Sequence, residues 1–436
     1  MSKGVLYLVI FFLLIATWLR FVNSDTLHTL SRDEYSWILA GTSLLETGKP
    51  TSWTIKWPFY HWNIYESVRN GVFDGERYSL VTPWMDHPPL FALAIASWVK
   101  ITDQNIYAPN WIYVRTPMIA VAIATMLLTF LLTKRLFGEN PALFTLAAYT
   151  FFPAAIISSR FTISENVLSL WLIASLMSIY VVLSNRSNKH RQIALVILLI
   201  LSFTAPLLKL SGLLVPGSAV LLLLLRKQYR LATYVTVAAA LGLGTFTLYG
   251  WWYSWEVFTS TQLTHSLRPQ SVTNFWSIFH QTIVPRVSLF DPSIIVGFIG
   301  LAMLLIDRQN KNRHFLLAPL FMGIVLLLLV APIEEYSWYK FPLYPLLAIG
   351  LGWITHQFWK GVNFSALLLL PLLIFMAEQA LTFTQWQQKL FIITLAGVLV
   401  LWLLLKKQSL LKQLLSIYLI LSLFLLEALW VISVGL

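Results

Sequence analysis

Long apolar stretches separated by short polar segments occupy most of the 436 residues. A transmembrane helix needs about 20 apolar residues, because the hydrocarbon core of a bilayer is about 30 Å thick. The chain is therefore expected to be an all-α polytopic membrane protein. By this length criterion the pattern predicts thirteen transmembrane helices, at residues 5–22, 111–133, 141–158, 161–183, 192–208, 210–225, 231–250, 292–306, 315–331, 338–356, 363–381, 388–405 and 413–435.

The charges between these helices predict their orientation. Basic loops stay on the cytoplasmic side, so the N-terminus is predicted to be cytoplasmic and the C-terminus outside. The first apolar run lacks a small-residue cleavage site and is predicted to stay uncleaved. The stretch 88–100 is too short to span, and we expect a helix at the outer membrane face or dipping into it. One alternate set of loops carries fifteen basic residues: Lys134, Arg135, Arg186, Lys189, Arg191, Arg226, Lys227, Arg230, Arg308, Lys311, Arg313, Lys360, Lys406, Lys407 and Lys412.

Composition narrows the class of protein. Hydrophobic residues make up 58% of the chain and charged residues 11%, whereas soluble proteins carry about 25% charged residues. These values exclude an ordinary soluble enzyme, a disordered chain and a nucleic-acid-binding domain, despite a net charge of +12. The chain has no cysteine, which excludes disulfides, Cys-ligated zinc and a thiol nucleophile.

Two long outer segments, 23–110 and 251–291, concentrate the polar chemistry. Eight of the 18 acidic residues lie between positions 23 and 87, while the predicted spans are nearly free of acids. An ion-coupled transporter would place carboxylates inside its spans. The distribution therefore favours a reaction at the outer membrane face.

The first outer segment opens with a predicted helix that starts at Ser31-Arg32-Asp33-Glu34 and stops before Gly48. Glu34 fits a capping box with Ser31, which is an alternative to a catalytic role. Asp33 is the better candidate for catalysis, because a carboxylate at a helix start on the membrane surface can stay ionised and act as a base.

Two further motifs carry both a structural and a functional interpretation. Asp86 and His87 precede Pro88-Pro89, so they either cap a helix or face a phosphate or metal beside Asp33. Arg160 and Glu165 lie at the outer end of a helical hairpin. They either pair with each other or belong to a site, because an unpaired carboxylate in the outer leaflet is costly.

The late outer segment holds His265 and Arg268. Arg268 is a phosphate candidate, since its planar guanidinium matches phosphate oxygens. Lys209 and Lys340 are predicted to lie near the outer face, where snorkelling to the interface is the alternative.

The order of these motifs along the chain resembles that of the GT-C superfamily, which comprises polytopic glycosyltransferases that use lipid-phosphate sugars. The similarity covers residues 1 to about 350, and the nearest branches are the protein O-mannosyltransferases and the lipid A aminoarabinose transferases. The motifs that carry it are Asp33-Glu34, Asp86-His87-Pro88-Pro89-Leu90, Arg115, Lys134-Arg135-Leu136-Phe137-Gly138, Arg160 with Glu165, Lys209 with Gly212, His265 with Arg268, and Lys340-Phe341-Pro342-Leu343-Tyr344-Pro345.

The resemblance implies that Asp33 is the catalytic base and Glu165 a second carboxylate, where the family usually has Asp. The predicted cations for the donor phosphate are Arg268, with Lys209, His87, Lys340 and Arg160 as further candidates. The aminoarabinose branch has Lys at the position of His87. With His at this position, a phosphate contact becomes pH-dependent or is lost. That branch also binds a metal, for which Asp86 and His265 would be the counterparts, whereas other branches are metal-independent.

These features predict a GT-C catalytic module at 1–350 with outer loops at 23–110 and 251–291, followed by C-terminal transmembrane helices at 351–436. In that C-terminal part Glu378 and Glu427 are predicted to lie between helices or at the interface. The expected activity is inverting transfer of a sugar from a polyprenyl-phosphate donor to a lipid, protein or glycan acceptor, on the extracytoplasmic face of the plasma membrane. A divalent metal is an open possibility, and no nucleic-acid partner is expected. The alternatives are a lipid-linked sugar flippase and a non-catalytic membrane protein.

Overall fold

The computed structural model describes most of the chain. The described residues are 2–26, 31–54, 64–73, 76–106, 109–184, 187–267, 291–307, 310–329, 338–362, 365–366, 368–369, 372–373, 393–394, 397–399, 401–405 and 410–433. Arg268, Glu378 and most of the predicted helices at 363–381 and 388–405 lie outside these residues.

Helices dominate this part of the chain, which confirms the predicted all-α membrane architecture. Two 3₁₀ helices, Leu210–Leu213 and Trp338–Leu343, join longer elements. The α-helices are α1 (Lys3–Phe21), α2 (Ser31–Thr47), α3 (Pro89–Ile101), α4 (Trp111–Phe137), α5 (Glu139–Phe151), α6 (Pro153–Ser158), α7 (Ser164–Ser184), α8 (Asn188–Leu208), α9 (Leu214–Leu225), α10 (Tyr229–Tyr253), α11 (Trp255–Ser266), α12 (Pro292–Ile306), α13 (His314–Leu329), α14 (Tyr344–Trp359) and α15 (Leu410–Ser433).

Six of the described helices, α1, α4, α7, α8, α10 and α15, are long and apolar enough to cross a membrane. Large apolar side chains such as Tyr7, Phe11 and Leu14 stay exposed on α1, as expected for a surface that faces lipid. Among the described residues, each segment predicted as a span between positions 5 and 356 is mostly helical. The span predicted at 141–158 breaks into α5 and α6, because Pro153 has no N–H to continue the helix.

The segment 23–110 contains a small antiparallel sheet. The sequence pattern predicted only helices there and missed these strands. Strands β1 (Ser52–Trp53), β2 (Ser67–Phe73) and β3 (Glu76–Thr82) pair in the order β1-β3-β2. The register places Ser67 opposite Thr82 and Phe73 opposite Glu76. In the sequence the two paired strands flank Asp74-Gly75, a dipeptide that is the strongest short-range hairpin signal.

Helices α2 and α3 pack closely against each other beside this sheet. A Cβ atom at Gly41 would lie 2.0 Å from the backbone oxygen of Ala92, so only glycine permits this approach. Trp37, Phe91 and Ile95 are buried in the same cluster. The stretch predicted as a short helix at 88–100 is α3, with 13 residues. This packing fixes the position of the first turn of α2, which carries Asp33 and Glu34.

The C-terminal helix α15 packs against α6 and α14. Its Glu427 is fully buried and accepts a hydrogen bond of 3.0 Å from the hydroxyl of Ser293 on α12. Glu427 therefore lies between helices, one of the two positions expected from the sequence.

Candidate active site

Segments far apart in sequence meet at one end of the helical bundle. They are the first turns of α2 and α4, the segment 159–165 between α6 and α7, Lys209 after α8, and the 3₁₀ helix Trp338–Leu343. Direct contacts join each of them to at least one other. Most of the sequence-predicted site residues therefore lie at the same end.

Glu34 forms a fully buried ion pair with Arg115 on α4. Arg115 donates from Nε to Oε1 at 3.0 Å and from Nη2 to Oε2 at 2.7 Å, and neither side chain is exposed. The backbone N–H of Thr162 donates to Oε1 at 2.7 Å, and Arg115 Nη1 donates to the carbonyl of Ser24 at 2.5 Å. A bidentate pair with this additional donor occupies the carboxylate. Its geometry makes Glu34 a structural clamp and does not favour the predicted catalytic role.

Glu165 binds Lys209 at the start of α7. The Lys209 ammonium donates to Glu165 Oε1 at 2.5 Å, and the hydroxyl of Ser164 lies 3.1 Å from Oε2. Glu165 is 1% exposed, and removing the cation from such a buried pair is strongly destabilising. The partner suggested by the sequence, Arg160, lies only five residues away but does not pair with it.

Asp33 differs from both buried carboxylates because it is partly exposed. Its charge interacts favourably with Lys209, whose ammonium group contacts Glu165 directly. Lys209 also lies 5.0 Å from the ring centroid of Tyr339, within cation–π range. Asp33 is therefore partly accessible and within electrostatic range of a positive charge.

Arg160 is completely buried in the segment between α6 and α7. Its Nη2 donates to the carbonyl of Leu19 at 2.7 Å, at the end of α1. Its Nε and Nη1 find no hydrogen-bond partner among the described residues. Because no surface of Arg160 is exposed, its predicted phosphate contact requires a local opening.

Asp86, His87 and His265 lie together beside α2. The Asp86 carboxylate accepts from the hydroxyl of Thr54 at 2.9 Å, and the Nε2 atom of His265 lies 3.1 Å from the backbone oxygen of Asp86. The His87 ring stacks on Trp37 at 4.8 Å and lies 5.8 Å from the His265 ring. The structure thus brings the first and late outer segments together, as the predicted site requires.

The proposed metal ligands fit a metal poorly in this arrangement. Over the described ranges, no group of three His, Asp or Glu side chains is placed to hold a metal ion. Asp86 bonds to Thr54, and His265 contacts a backbone oxygen. We therefore derive no chemical step from a metal.

Lys340 lies in the 3₁₀ helix next to Tyr339 and is 2% exposed. Its charge interacts favourably with Asp291, which accepts from the backbone N–H of Ala154 and of Ser293. Arg268, the strongest phosphate candidate from the sequence, lies outside the described residues.

Sequence reasoning missed three contributors to this site. They are Tyr339 over Lys209, Thr162 as a backbone donor to Glu34, and Trp37 as the platform for His87. Tyr339 directly precedes Lys340 in a motif already singled out, which was a usable signal. The other two depend on tertiary contacts that no local pattern indicates.

Comparison with known proteins adds information on the fold. No protein-family model matches the sequence, and no curated protein sequence matches it. Two structures of ArnT from Cupriavidus metallidurans match the whole chain over 78% of their own length with a TM-score of 0.62. One is the apo state, at 16% identity, and the other is bound to undecaprenyl phosphate, at 14% identity.

The chain has the GT-C fold. A third structure of this type, the apo oligosaccharyltransferase of Archaeoglobus fulgidus, matches 98% of the chain over 56% of its own length, with a TM-score of 0.52 and 12% identity. The GT-C fold and the apolar helices make the chain an integral membrane protein, and the fold is the one that the resemblance implied.

Proposed function

We propose that this protein is a membrane glycosyltransferase that moves a sugar from a polyprenyl-phosphate donor to a lipid, protein or glycan acceptor. The observation that carries the proposal is the partly exposed Asp33 next to Lys209, which Glu165 holds in place at 2.5 Å. The fold supports it, since one structure with this fold is bound to undecaprenyl phosphate.

Asp33 acts as the general base in this proposal. It takes the proton from the acceptor hydroxyl or amine while the acceptor atom attacks the anomeric carbon of the donor. The bond between the anomeric carbon and the phosphate oxygen breaks in the same step, and its electron pair leaves with the phosphate. A single displacement of this kind inverts the anomeric configuration.

The leaving phosphate needs preorganised donors and cations. Lys209 interacts favourably with the charge of Asp33, and Glu165 uses only part of its hydrogen-bonding capacity, because an ammonium group has three N–H donors. His87, Lys340, Arg160 and Arg268 remain candidate phosphate contacts.

The charge pattern of the loops supports an extracytoplasmic site. The end of the bundle that holds Asp33 is opposite the basic loops, which stay on the cytoplasmic side. The donor lipid would then lie in the outer leaflet of the plasma membrane, and the catalytic module would extend over residues 1–350.

The test is sugar transfer from a panel of polyprenyl-phosphate sugars, with nucleotide sugars alongside, by the purified full chain and by Asp33→Asn. General-base help is worth about 10²- to 10⁴-fold, so the variant should lose turnover by that factor and keep its donor affinity. Glu46→Gln, an exposed carboxylate on the same helix, is the matched control and should react at the normal rate.

Other outcomes contradict the proposal in distinct ways. Movement of intact lipid-linked sugar across the membrane, without cleavage of the sugar–phosphate bond, would make the protein a flippase. Turnover of nucleotide sugars instead of lipid donors would place the active site on the cytoplasmic side of the membrane and contradict the proposed extracytoplasmic site. A near-normal rate in Asp33→Asn would remove Asp33 from the role of base.

A further inference from the structure

The linker at residues 22–24, between α1 and the segment that leads to α2, contains a backbone conformation that non-glycine residues rarely adopt. Asn23 has a φ of +54°, in the left-handed region. Asparagine tolerates this region better than most other non-glycine residues. Such a conformation persists where the surrounding contacts hold it in place, and this linker has contacts of that kind on its side chain and on its backbone.

The side chain of Asn23 binds the C-terminal helix α15. Its Nδ2 atom donates to the backbone oxygen of Ile432 at 3.1 Å. Ile432 lies in the last turn of α15, where the carbonyl groups have no partner within the helix. One residue earlier, Val431 is buried in a cluster with Leu19 of α1 and Ile156 of α6. Asn23 therefore caps the end of α15 from the linker between α1 and α2.

The backbone of the same linker binds Arg115 on α4. The carbonyl oxygen of Ser24, a fully buried residue, accepts from Nη1 of Arg115 at 2.5 Å. The Nε and Nη2 atoms of this guanidinium form the bidentate pair with Glu34, which directly follows Asp33 in the first turn of α2. Two adjacent residues of the linker thus connect α15, by direct hydrogen bonds, to the turn that carries the proposed base.

Helix α15 has a second attachment that does not depend on Asn23. The hydroxyl of Ser293 on α12 donates to the fully buried Glu427 of α15 at 3.0 Å, and α15 also packs against α6 and α14. Loss of the Asn23 side chain should therefore leave α15 in the bundle. It should release only the linker, and with it the carbonyl oxygen that Arg115 binds.

We propose that Asn23 is a positioning residue for the reaction at Asp33. By holding the linker against α15, it fixes the Ser24 oxygen, which orients Arg115 and through it the first turn of α2. Asn23 itself touches no substrate in this scheme. Helix α15, which lies outside the predicted catalytic module at 1–350, thereby contributes to the active site. The effect on catalysis rests on the function proposed above, whereas the effect on α2 is measured without a substrate.

The first measurement is hydrogen–deuterium exchange of the purified full chain, followed by mass spectrometry. Asn23→Gly removes the hydrogen bond to α15 and keeps the turn, because glycine adopts a positive φ without steric cost. The amide groups of residues 35–38 donate to the carbonyl groups of the first turn of α2, so their exchange reports the opening of that turn. They should exchange about 2- to 10-fold faster in the variant, the ratio that corresponds to one hydrogen bond.

The second measurement separates kcat from KM in sugar transfer from a polyprenyl-phosphate donor. A displacement of about 1 Å can reduce a rate by about 10²-fold, so Asn23→Gly should lower kcat by about 10-fold or more. The KM for the donor should stay unchanged, because Asn23 does not contact the donor in this scheme. A residue that only stabilised the fold would lower Tm and leave the turnover per folded molecule normal. Asn23→Asp, which keeps the shape of the side chain but lacks the N–H donor, should show the same changes in exchange and kcat.

The control is Lys227→Gly, at a second residue with a positive φ. Lys227 has a φ of +57° and lies between α9 and α10, in one of the basic loops. This variant should show normal exchange at residues 35–38 and a normal kcat, because it releases no contact of the linker.

Three results would contradict the role of Asn23. Unchanged exchange in both Asn23 variants would overturn the proposal, and so would an equal increase in Lys227→Gly. Faster exchange with a normal kcat would overturn the role in catalysis. If the unmodified protein transfers no sugar from any lipid donor, the proposed function fails, while the exchange data still decide whether Asn23 holds α2.

Discussion

Two buried carboxylates at the same end of the bundle bind cations in different ways. Glu34 receives two N–H groups from Arg115 and one from the backbone of Thr162, without any exposure. Glu165 holds one ammonium, and that ammonium also faces the partly exposed Asp33. No surface of the first pair is exposed to a substrate, whereas the cation of the second pair also interacts with the accessible carboxylate of Asp33. This difference separates a structural clamp from a site that can do chemistry.

Breaking the clamp should have the largest effect on stability. Arg115→Met leaves Glu34 charged and without its partner, and removal of one member of a buried pair typically costs about 3–5 kcal/mol. We expect a large drop in Tm or loss of folded protein. In the double variant with Glu34→Gln part of the stability should return, since the uncompensated charge is gone. A Tm of Arg115→Met within about two degrees of the unmodified protein would contradict the clamp.

The second pair should affect turnover as well as folding, because Lys209→Met also leaves the buried carboxylate of Glu165 without its partner. Lys209→Met removes the cation near Asp33, and loss of one preorganised charge-stabilising group typically reduces kcat by about 10²- to 10³-fold. A double-mutant cycle with Glu165→Gln should show coupling, because the two side chains are in contact. Independent, additive effects on turnover would show that the pair does not work as a unit.

Packing that positions Asp33 should give an intermediate effect. Gly41→Ala would force α2 away from Ala92 of α3, and overpacking of this kind costs about 1–3 kcal/mol. Turnover should fall together with Tm, because α2 carries Asp33. The control is Gly244→Ala on α10, where an added Cβ meets nothing within 4 Å. It should be neutral or slightly stabilising.

The smallest effect is expected at the surface. Lys49 and Glu66 form an ion pair of 2.5 Å with side chains about half exposed, and such pairs contribute about 0–1 kcal/mol. Lys49→Gln should leave both Tm and turnover unchanged within error. A loss comparable to that of Arg115→Met would mean that burial does not explain the difference between these pairs.

The sequence predicted the helices well and the contacts between them poorly. Apolar length located α10, predicted at residues 231–250 and observed at Tyr229–Tyr253, because a membrane-spanning helix needs about 20 apolar residues. Glu34 and Arg115 are 81 positions apart, and no local pattern could pair them. The choice of Lys209 over Arg160 as the partner of Glu165 likewise depends on how α7 and α8 pack. The sheet at β2 and β3 was missed because the hydropathy pattern was read only for helices.

The central claim is that Asp33 and Glu34, adjacent in sequence, have separate tasks. The most direct test measures Tm and sugar transfer from a polyprenyl-phosphate donor for Asp33→Asn and Glu34→Gln side by side. The account predicts that Asp33→Asn keeps its Tm and loses turnover by about 10²-fold or more, while Glu34→Gln loses Tm and keeps the turnover per folded molecule. Normal turnover in Asp33→Asn, or a normal Tm with lost turnover in Glu34→Gln, would contradict it.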